Sequence, residues 1–199
     1  MNDNLVSELI CTRLSHDIIG NIGAVANAVE LLEEGDMDFI DDIKSILSVS
    51  SKTLSARLKF FRLTFGLNNA NLENKETVIK TAQDYLLTLG NKNFPINLNF
   101  NVNTPDNVKN ALMMIMVMGD ILIRGGDIYV EETEKSLIIK IDKSSKLSND
   151  KLEKIVSYLS KNNSQPEAGL AHIIALCEYN KNRTFKLLQD DTYITLIME

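Results

Sequence analysis

His16 and Asp17, adjacent in the sequence, are the two residues of this chain whose types most directly suggest chemistry. The neutral imidazole of a histidine is a nucleophile, and an unperturbed histidine is partly neutral near pH 7. A carboxylate beside it can orient the ring or accept a proton from its second nitrogen. The pair therefore predicts nucleophilic chemistry at His16, assisted by Asp17. An ordinary surface histidine beside a chance aspartate is the alternative interpretation.

The residues around this pair predict a helix whose histidine face is small and open. Apolar residues recur at steps of three and four from Leu14 to Leu32 and define one buried stripe. At about 100° per residue, His16 points away from that stripe. Its face is shared by small or polar residues, namely Thr12, Gly20, Gly23 and Asn27. Because a glycine inside a helix costs about 1 kcal/mol relative to alanine, we interpret this face as room for another molecule to reach His16.

The second histidine and the two cysteines do not indicate a reactive or metal-binding site. His172 lies in an apolar, buried-looking helix with no neighbouring carboxylate, so we expect it to be structural. Cys11 and Cys177 are single and far apart in the sequence. They form neither a metal-ligand cluster nor a disulfide framework, and a reducing cytoplasm is their natural setting.

The composition narrows the classes of partner. The chain has 199 residues, of which 44% are hydrophobic and 24% charged, and its formal net charge is −6. No basic stripe is present to neutralise phosphates, so nucleic acid is not the expected partner. No apolar run reaches the length of a membrane span, and the first residues lack the positive region of a signal peptide. We expect a cytoplasmic protein without a membrane segment.

Two long helical patterns must position the histidine face. The first ends at Gly35 and Asp36, and the second carries apolar residues at the same steps from Ile43 onwards. Joined by a tight turn, they predict an antiparallel helical hairpin over residues 1–69. One hairpin cannot cover both apolar stripes by itself. We therefore expect a homodimer in which two hairpins form a four-helix bundle.

The hairpin also predicts which residues of its second helix lie near the histidine. His16 stands about twenty residues before the turn, so residues about twenty after the turn lie opposite it. We expect these residues to extend the docking surface, and they are Lys52, Ala56, Arg57 and Phe60. Arg57 or Lys52 would suit a phosphate or an acidic partner face. Ordinary solvated helix charges are the alternative.

Residues 70–199 show a mixed pattern and are expected to form a second, α/β domain. Residues 96–103 alternate apolar and polar side chains without a fault, as half-buried strands do. The order α-β-α-β-β-α-α-β-β suggests a mixed sheet with helices on one face. Helices are predicted at 76–89, 108–123, 149–161 and 166–179, and strands at 96–103, 128–130, 137–141, 184–188 and 193–198.

Three motifs give this chain a family resemblance over its whole length. Ser15 to Val25, with the Glu-Leu-Leu that begins at Glu30, resembles the phosphoacceptor segment of ChpT-type histidine phosphotransferases of alphaproteobacteria. Two further segments are similar to the same family, Arg124-Gly125-Gly126-Asp127-Ile128 and Gln165-Pro166-Glu167-Ala168-Gly169-Leu170. Gly20 and Asn21 depart from the family's usual Ser-Pro. Without that proline, the helix should bend less beside the histidine.

The resemblance implies a fold, an activity and partners. The expected fold is α+β, with a dimerising phosphoacceptor hairpin followed by a domain of the Bergerat type that sensor histidine kinases use to bind ATP. The expected activity is a two-component phosphorelay, in which His16 takes a phosphoryl group from a receiver-domain aspartate and Asp17 orients the ring. The donor receiver would belong to a hybrid histidine kinase and the acceptor to a response regulator. Any Mg²⁺ would sit on the receiver domain.

The same resemblance indicates that the nucleotide site has been lost. The asparagine and lysine of an active kinase helix fall here near Val117 and Asp120. The glycine-rich adenine loop becomes the glycine-free stretch 142–146, and the lid keeps only Gly169. Because glycines let backbone N–H groups approach phosphate oxygens, we expect no ATP binding and no cofactor. An ATP-dependent kinase with a divergent lid and a non-catalytic protein that docks on a kinase remain alternatives. A membrane-tethered sensor fragment is a third, which no segment supports.

Overall fold

The hairpin predicted for the N-terminal part is present. The computed structural model describes residues 3–35, 39–67, 72–90, 93–160 and 167–199. Helix α1 (Asp3–Glu33) and helix α2 (Ile40–Phe65) pack along each other. Gly35 ends the first helix with a φ of 75°, a left-handed conformation that favours glycine. Asp36, which the sequence places in the turn, lies outside the described residues.

The rest of the chain forms the mixed helix and sheet structure that the pattern predicts. Strands β1 and β3 are parallel, and the other neighbours in the five-stranded sheet β1-β3-β4-β7-β6 are antiparallel. The elements are α3 (Lys75–Leu89), β1 (Ile96–Asn101), α4 (Pro105–Ile121), β2 (Leu122–Arg124), β3 (Gly126–Glu132), β4 (Leu137–Asp142), β5 (Lys146–Leu147), α5 (Asn149–Leu159), a 3-10 turn (Ala168–Leu170), α6 (Ala171–Tyr179), β6 (Phe185–Gln189) and β7 (Tyr193–Met198).

The C-terminal boundary of α4 was predicted wrongly. The Met-rich helix α4 ends at Ile121, whereas the sequence suggested that it continues to Ile123. Residues 122–124 instead pair antiparallel with residues 146–147 as a small two-stranded sheet. The two short strands β2 and β5 carry too few residues to show an alternation, so periodicity could not reveal them.

The start of α4 is held by a carboxylate from the end of β3. Glu132 accepts hydrogen bonds from the backbone N–H groups of Asn103 and Thr104 at 2.8 and 3.1 Å, and from the side-chain amide of Asn107 at 2.6 Å. Partial burial acts to raise the pKa of Glu132, but hydrogen bonds from Thr104, Asn103 and Asn107 outweigh it and lower this pKa to about 2. Glu132 thus stabilises the folded state as an anion.

The hairpin and the sheet layer share one hydrophobic core. Val6 and Ile10 of α1 and Phe60 of α2 belong to the same cluster of buried residues as the apolar side chains of α4, α6 and the central strands. Helix α4 packs on β3 and β4, while α1 packs on α6. The C-terminal layer is therefore close enough to contact the helix that carries His16.

The apolar stripe of α1 is only partly buried within one chain. Leu14 and Ile18 pack against the core, but Ile22, Val29 and Leu32 stay 41–51% exposed. This exposure agrees with the expectation that one hairpin cannot cover its apolar stripes by itself. The contact between the two helices is made by other residues, among them Ala28 and Ile43, which are almost fully buried. Within the described residues, no helix combines the length and the apolar character that crossing a membrane requires.

Candidate functional site

His16 projects from the middle of α1 into open space. Its side chain is 81% exposed. Gly20 and Gly23 follow on the same face after about one and two helical turns, and a Cβ atom added at either would meet no atom within 4 Å. Thr12 and Asn27 on this face are also exposed. The structure thus brings the predicted histidine face together and leaves it accessible.

Asp17 lies beside the imidazole but is held mainly by another side chain. Its Oδ1 is 3.5 Å from Nδ1 of His16, at the outer limit for a hydrogen bond. Its Oδ2 accepts a hydrogen bond from Nε of Arg13, one turn earlier, at 3.2 Å. The Asp17 side chain is only 15% exposed. The carboxylate is therefore fixed by Arg13 and presented to the ring of His16.

Arg13 continues this contact into the C-terminal layer. Its Nη2 donates to Oδ1 of Asp120 at 2.7 Å, near the end of α4. Burial of Arg13 acts to lower its pKa, but the nearby carboxylates of Asp120 and Asp17 outweigh burial and raise it. Arg13 is the site residue that the sequence did not single out, because its second partner lies 107 positions away.

The other oxygen of Asp120 contacts the second histidine. Nδ1 of His172 on α6 lies 2.6 Å from Oδ2 of Asp120, and His172 is almost completely buried. His172 has no carboxylate near it in the sequence, and the packing of α6 against α4 brings Asp120 to it. One signal was available: Asp120 is the single acidic residue in the apolar run 111–123. A buried carboxylate of this kind requires a partner.

Arg57 reaches α1 as the hairpin predicts, and its guanidinium is already engaged. Nη1 donates to the backbone carbonyl of Asp17. Nε and Nη2 donate to the side-chain and backbone oxygens of Thr88 on α3, at 3.2 and 3.5 Å. Arg57 thus ties three helices together immediately behind His16. This geometry argues against a merely solvated charge.

Phe60 was predicted to lie on an exposed docking surface, and this prediction was wrong because Phe60 is buried. It is fully buried and stacks on the ring of Tyr85, with ring centroids 4.0 Å apart and an interplanar angle of 9°. Helix α3 covers this side of α2, a packing that no local sequence pattern indicates. Burial, together with the charges of Asp120 and Asp17, raises the pKa of Tyr85.

Lys52 and Ala56 line an open groove between α2 and α3. Its other lining residues are Thr53, Ser55, Lys59, Asp84, Leu87 and Thr88. Thr88 is also the residue that Arg57 contacts, so the groove lies next to the Arg57 cluster. The predicted docking residues other than Phe60 therefore occupy exposed or half-buried positions on the hairpin.

The positions expected to bear nucleotide ligands are occupied by packing contacts. Val117 is fully buried in the core. Ser145 packs against Gly126, where its hydroxyl fills the place that a Cβ atom would take. Asp142 accepts the backbone N–H of Ser144 at 2.7 Å and so closes its own turn.

The fold is that of a bacterial phosphotransferase. A solved structure of such a protein superposes with a TM-score of 0.76 at 21% sequence identity, covering all of this chain and 98% of the other. The histidine kinase AdeS of Acinetobacter baumannii shows only a distant similarity, with 14% identity over 92% of this chain and 95% of the other, and a TM-score of 0.39.

A sequence comparison gives a particular relative. The chain is 47% identical over 58 residues to the protein phosphotransferase ChpT of Brucella abortus, and this stretch covers 29% of the chain and 27% of the relative. No family model matches the sequence. The resemblance to ChpT-type phosphotransferases inferred from the motifs is confirmed, and the matched stretch spans about a quarter of the relative's length.

Proposed function

We propose that this protein is a histidine phosphotransferase of a two-component phosphorelay. His16 takes the phosphoryl group from a phospho-aspartate on the receiver domain of a hybrid histidine kinase and passes it to an aspartate on a response regulator. In each transfer one P–O or P–N bond breaks as the other forms, and the departing aspartate or imidazole recovers its lone pair. The observation that supports this most strongly is the accessible His16 beside a half-buried carboxylate that Arg13 holds in place.

Asp17 selects which ring nitrogen reacts. Its Oδ1 faces Nδ1 of His16, so a proton on Nδ1 gains an acceptor and the lone pair of Nε2 is left pointing to solvent. Nε2 is then the nucleophile. Because the carboxylate is held by Arg13, it need not reorganise while the phosphoryl group moves.

The charge of the phosphoryl group is neutralised mainly by the partner. Phosphoryl transfer depends on positioning and charge neutralisation, and a receiver domain would bring its own Mg²⁺. We infer that the protein uses no ATP and no cofactor. In support, Val117 fills the core where a kinase would place a magnesium ligand, and the loop 142–146 is closed on itself.

We further propose that two copies pair through the far end of the hairpin, in the cytoplasm. Apolar side chains there are uncovered in the single chain, including Ile22, Val29, Leu32, Ile46 and Val49. A second hairpin packed on them would complete a four-helix bundle and bury this surface. The substitution Val49→Asp should shift sedimentation from dimer to monomer, and an unchanged sedimentation coefficient would contradict this pairing.

The proposal is tested by transfer of a radiolabelled phosphoryl group. Wild-type protein and His16→Ala are each incubated with a labelled phospho-receiver and, in parallel, with labelled ATP. We expect label only on wild-type protein and only from the receiver. Labelling by ATP would favour the kinase alternative, and absence of labelling despite receiver binding would favour the docking alternative. His172 serves as an internal control, because both proteins retain it.

A further inference from the structure

A chain of polar contacts connects the C-terminal layer to the phosphoacceptor. It runs from His172 to Asp120 at 2.6 Å, from Asp120 to Arg13 at 2.7 Å and from Arg13 to Asp17 at 3.2 Å. Side-chain exposure along it is only 2–19%. Charges shielded in this way interact more strongly than surface pairs do, and loss of one member leaves the others buried without a partner.

Arg13 is shared by two carboxylates. The guanidinium of an arginine can donate two parallel hydrogen bonds to a single carboxylate, and this fork geometry is favoured. Here Nε donates to Asp17 and Nη2 donates to Asp120. Asp17 therefore receives one bond from Arg13, at Oδ2, and its Oδ1 is left facing Nδ1 of His16.

His172 holds the carboxylate of Asp120 in place. This carboxylate accepts a hydrogen bond that Arg13 could otherwise donate to Asp17. Nδ1 of His172 contacts Asp120, whereas its Nε2 is buried with no hydrogen-bond partner among the described residues. A buried nitrogen without a partner is unfavourable. The contact between His172 and Asp120 is present although it leaves Nε2 of His172 without a partner. This points to a role for the contact in holding Asp120 in place.

We propose that Asp120 and His172 are positioning residues for phosphoryl transfer, acting through Arg13 to keep one oxygen of Asp17 free for His16. Without Asp120, the guanidinium of Arg13 closes on both oxygens of Asp17 and draws Oδ1 away from the imidazole. The C-terminal layer would thus set the tautomer of the reacting histidine. The expected effect on the rate of transfer rests on the proposed function. The expected effect on the tautomer of His16 can be measured without any receiver.

The first test is the tautomer of His16 in Asp120→Asn. Long-range proton–nitrogen NMR spectra distinguish imidazole protonated at Nδ1 from imidazole protonated at Nε2. We expect the Nδ1-protonated fraction of His16 to fall in Asp120→Asn and in His172→Leu, and to stay unchanged in Glu132→Gln. Glu132→Gln is the matched control, since it neutralises another carboxylate that holds α4, at the end of that helix opposite to Asp120.

The second test is the rate of transfer from a saturating phospho-receiver. Misplacement of a reacting group by about 1 Å can lower a reaction rate on the order of 100-fold. Partial loosening of the Asp17 carboxylate in Asp120→Asn should therefore slow transfer about tenfold. The receiver Kd should stay unchanged. In an Asp17→Asn background, Asp120→Asn should have no further effect, because both act through the same oxygen.

These outcomes separate the two proposals. If wild-type protein transfers no phosphoryl group while the tautomer shifts as expected, the proposed function fails and the positioning role stands. An unchanged tautomer in a folded Asp120→Asn, or an equal loss of rate in Glu132→Gln, would overturn the positioning role. Should Asp120→Asn not fold, His172→Leu carries the test with the same expected result, since it removes the contact that holds Asp120 and keeps the fork of Arg13.

Discussion

Replacing Gly23 by leucine should separate stability from partner binding. Gly23 lies inside α1 on the face of His16, and a Cβ atom there meets no atom within 4 Å. Leucine is the better helix former by about 0.8 kcal/mol, and no clash opposes this gain. The free energy of unfolding should therefore rise by about 0.5–1 kcal/mol, which corresponds to about 1–4 °C in Tm.

The same leucine should weaken receiver binding. It stands about two turns from His16, on the side from which a receiver must approach. Forcing extra methylene groups into a packed contact costs about 1–3 kcal/mol, so the receiver Kd should rise about 5- to 150-fold. Isothermal calorimetry with a receiver domain measures the affinity, and thermal unfolding of the same samples measures the Tm.

Glu153→Leu is the matched control for this variant. Glu153 is exposed on α5, which packs on α4 and β6. The control places the same new side chain on an exposed helix without changing receiver affinity. If Gly23→Leu lowers the Tm, Gly23 is a packing contact, and the open approach to His16 rests on Gly20 and Thr12 alone. A higher Tm with unchanged affinity would place the docking face elsewhere.

Three further predictions follow from individual side chains. His16→Ala should abolish phosphoryl acceptance with an unchanged Tm, because the side chain is exposed; a labelled alanine variant would contradict this. Asp17→Asn should slow single-turnover transfer without raising the receiver Kd, and a weakened complex with a normal rate would refute the orienting role. Because the pKa of Glu132 is lowered to about 2, its contribution is complete above about pH 4.5 and is lost as the pH falls towards 2. Glu132→Gln should therefore remove about 2 kcal/mol of acid-dependent stability, after allowance for solvent screening, in urea unfolding from pH 6 to pH 3.

Local patterns predicted the parts of the site that depend on one or two helices. The steps of three and four along α1 were enough to place His16, Gly20 and Gly23 on an open face. The antiparallel hairpin pairs residues at equal distances from its turn, and for that reason Arg57 was correctly placed beside α1. Both inferences need only helical geometry.

Long-range packing determined what the sequence could not show. Phe60 was assigned to the surface because the position of α3 over α2 depends on the whole core. The contact between Asp120 and His172 joins residues 52 positions apart, and no periodicity encodes it. The same holds for Arg13, which appears as an ordinary helix charge until α4 is packed behind it.

The most direct test of the central claim is the site of phosphorylation itself. The protein is incubated with a phosphorylated receiver domain, digested under alkaline conditions that preserve phosphohistidine, and mapped by mass spectrometry. We expect a phosphoryl group on His16, at Nε2 by phosphorus–nitrogen NMR coupling, and none on His172. Modification of His172, or of no histidine while the receiver still loses its phosphoryl group to the protein, would contradict it.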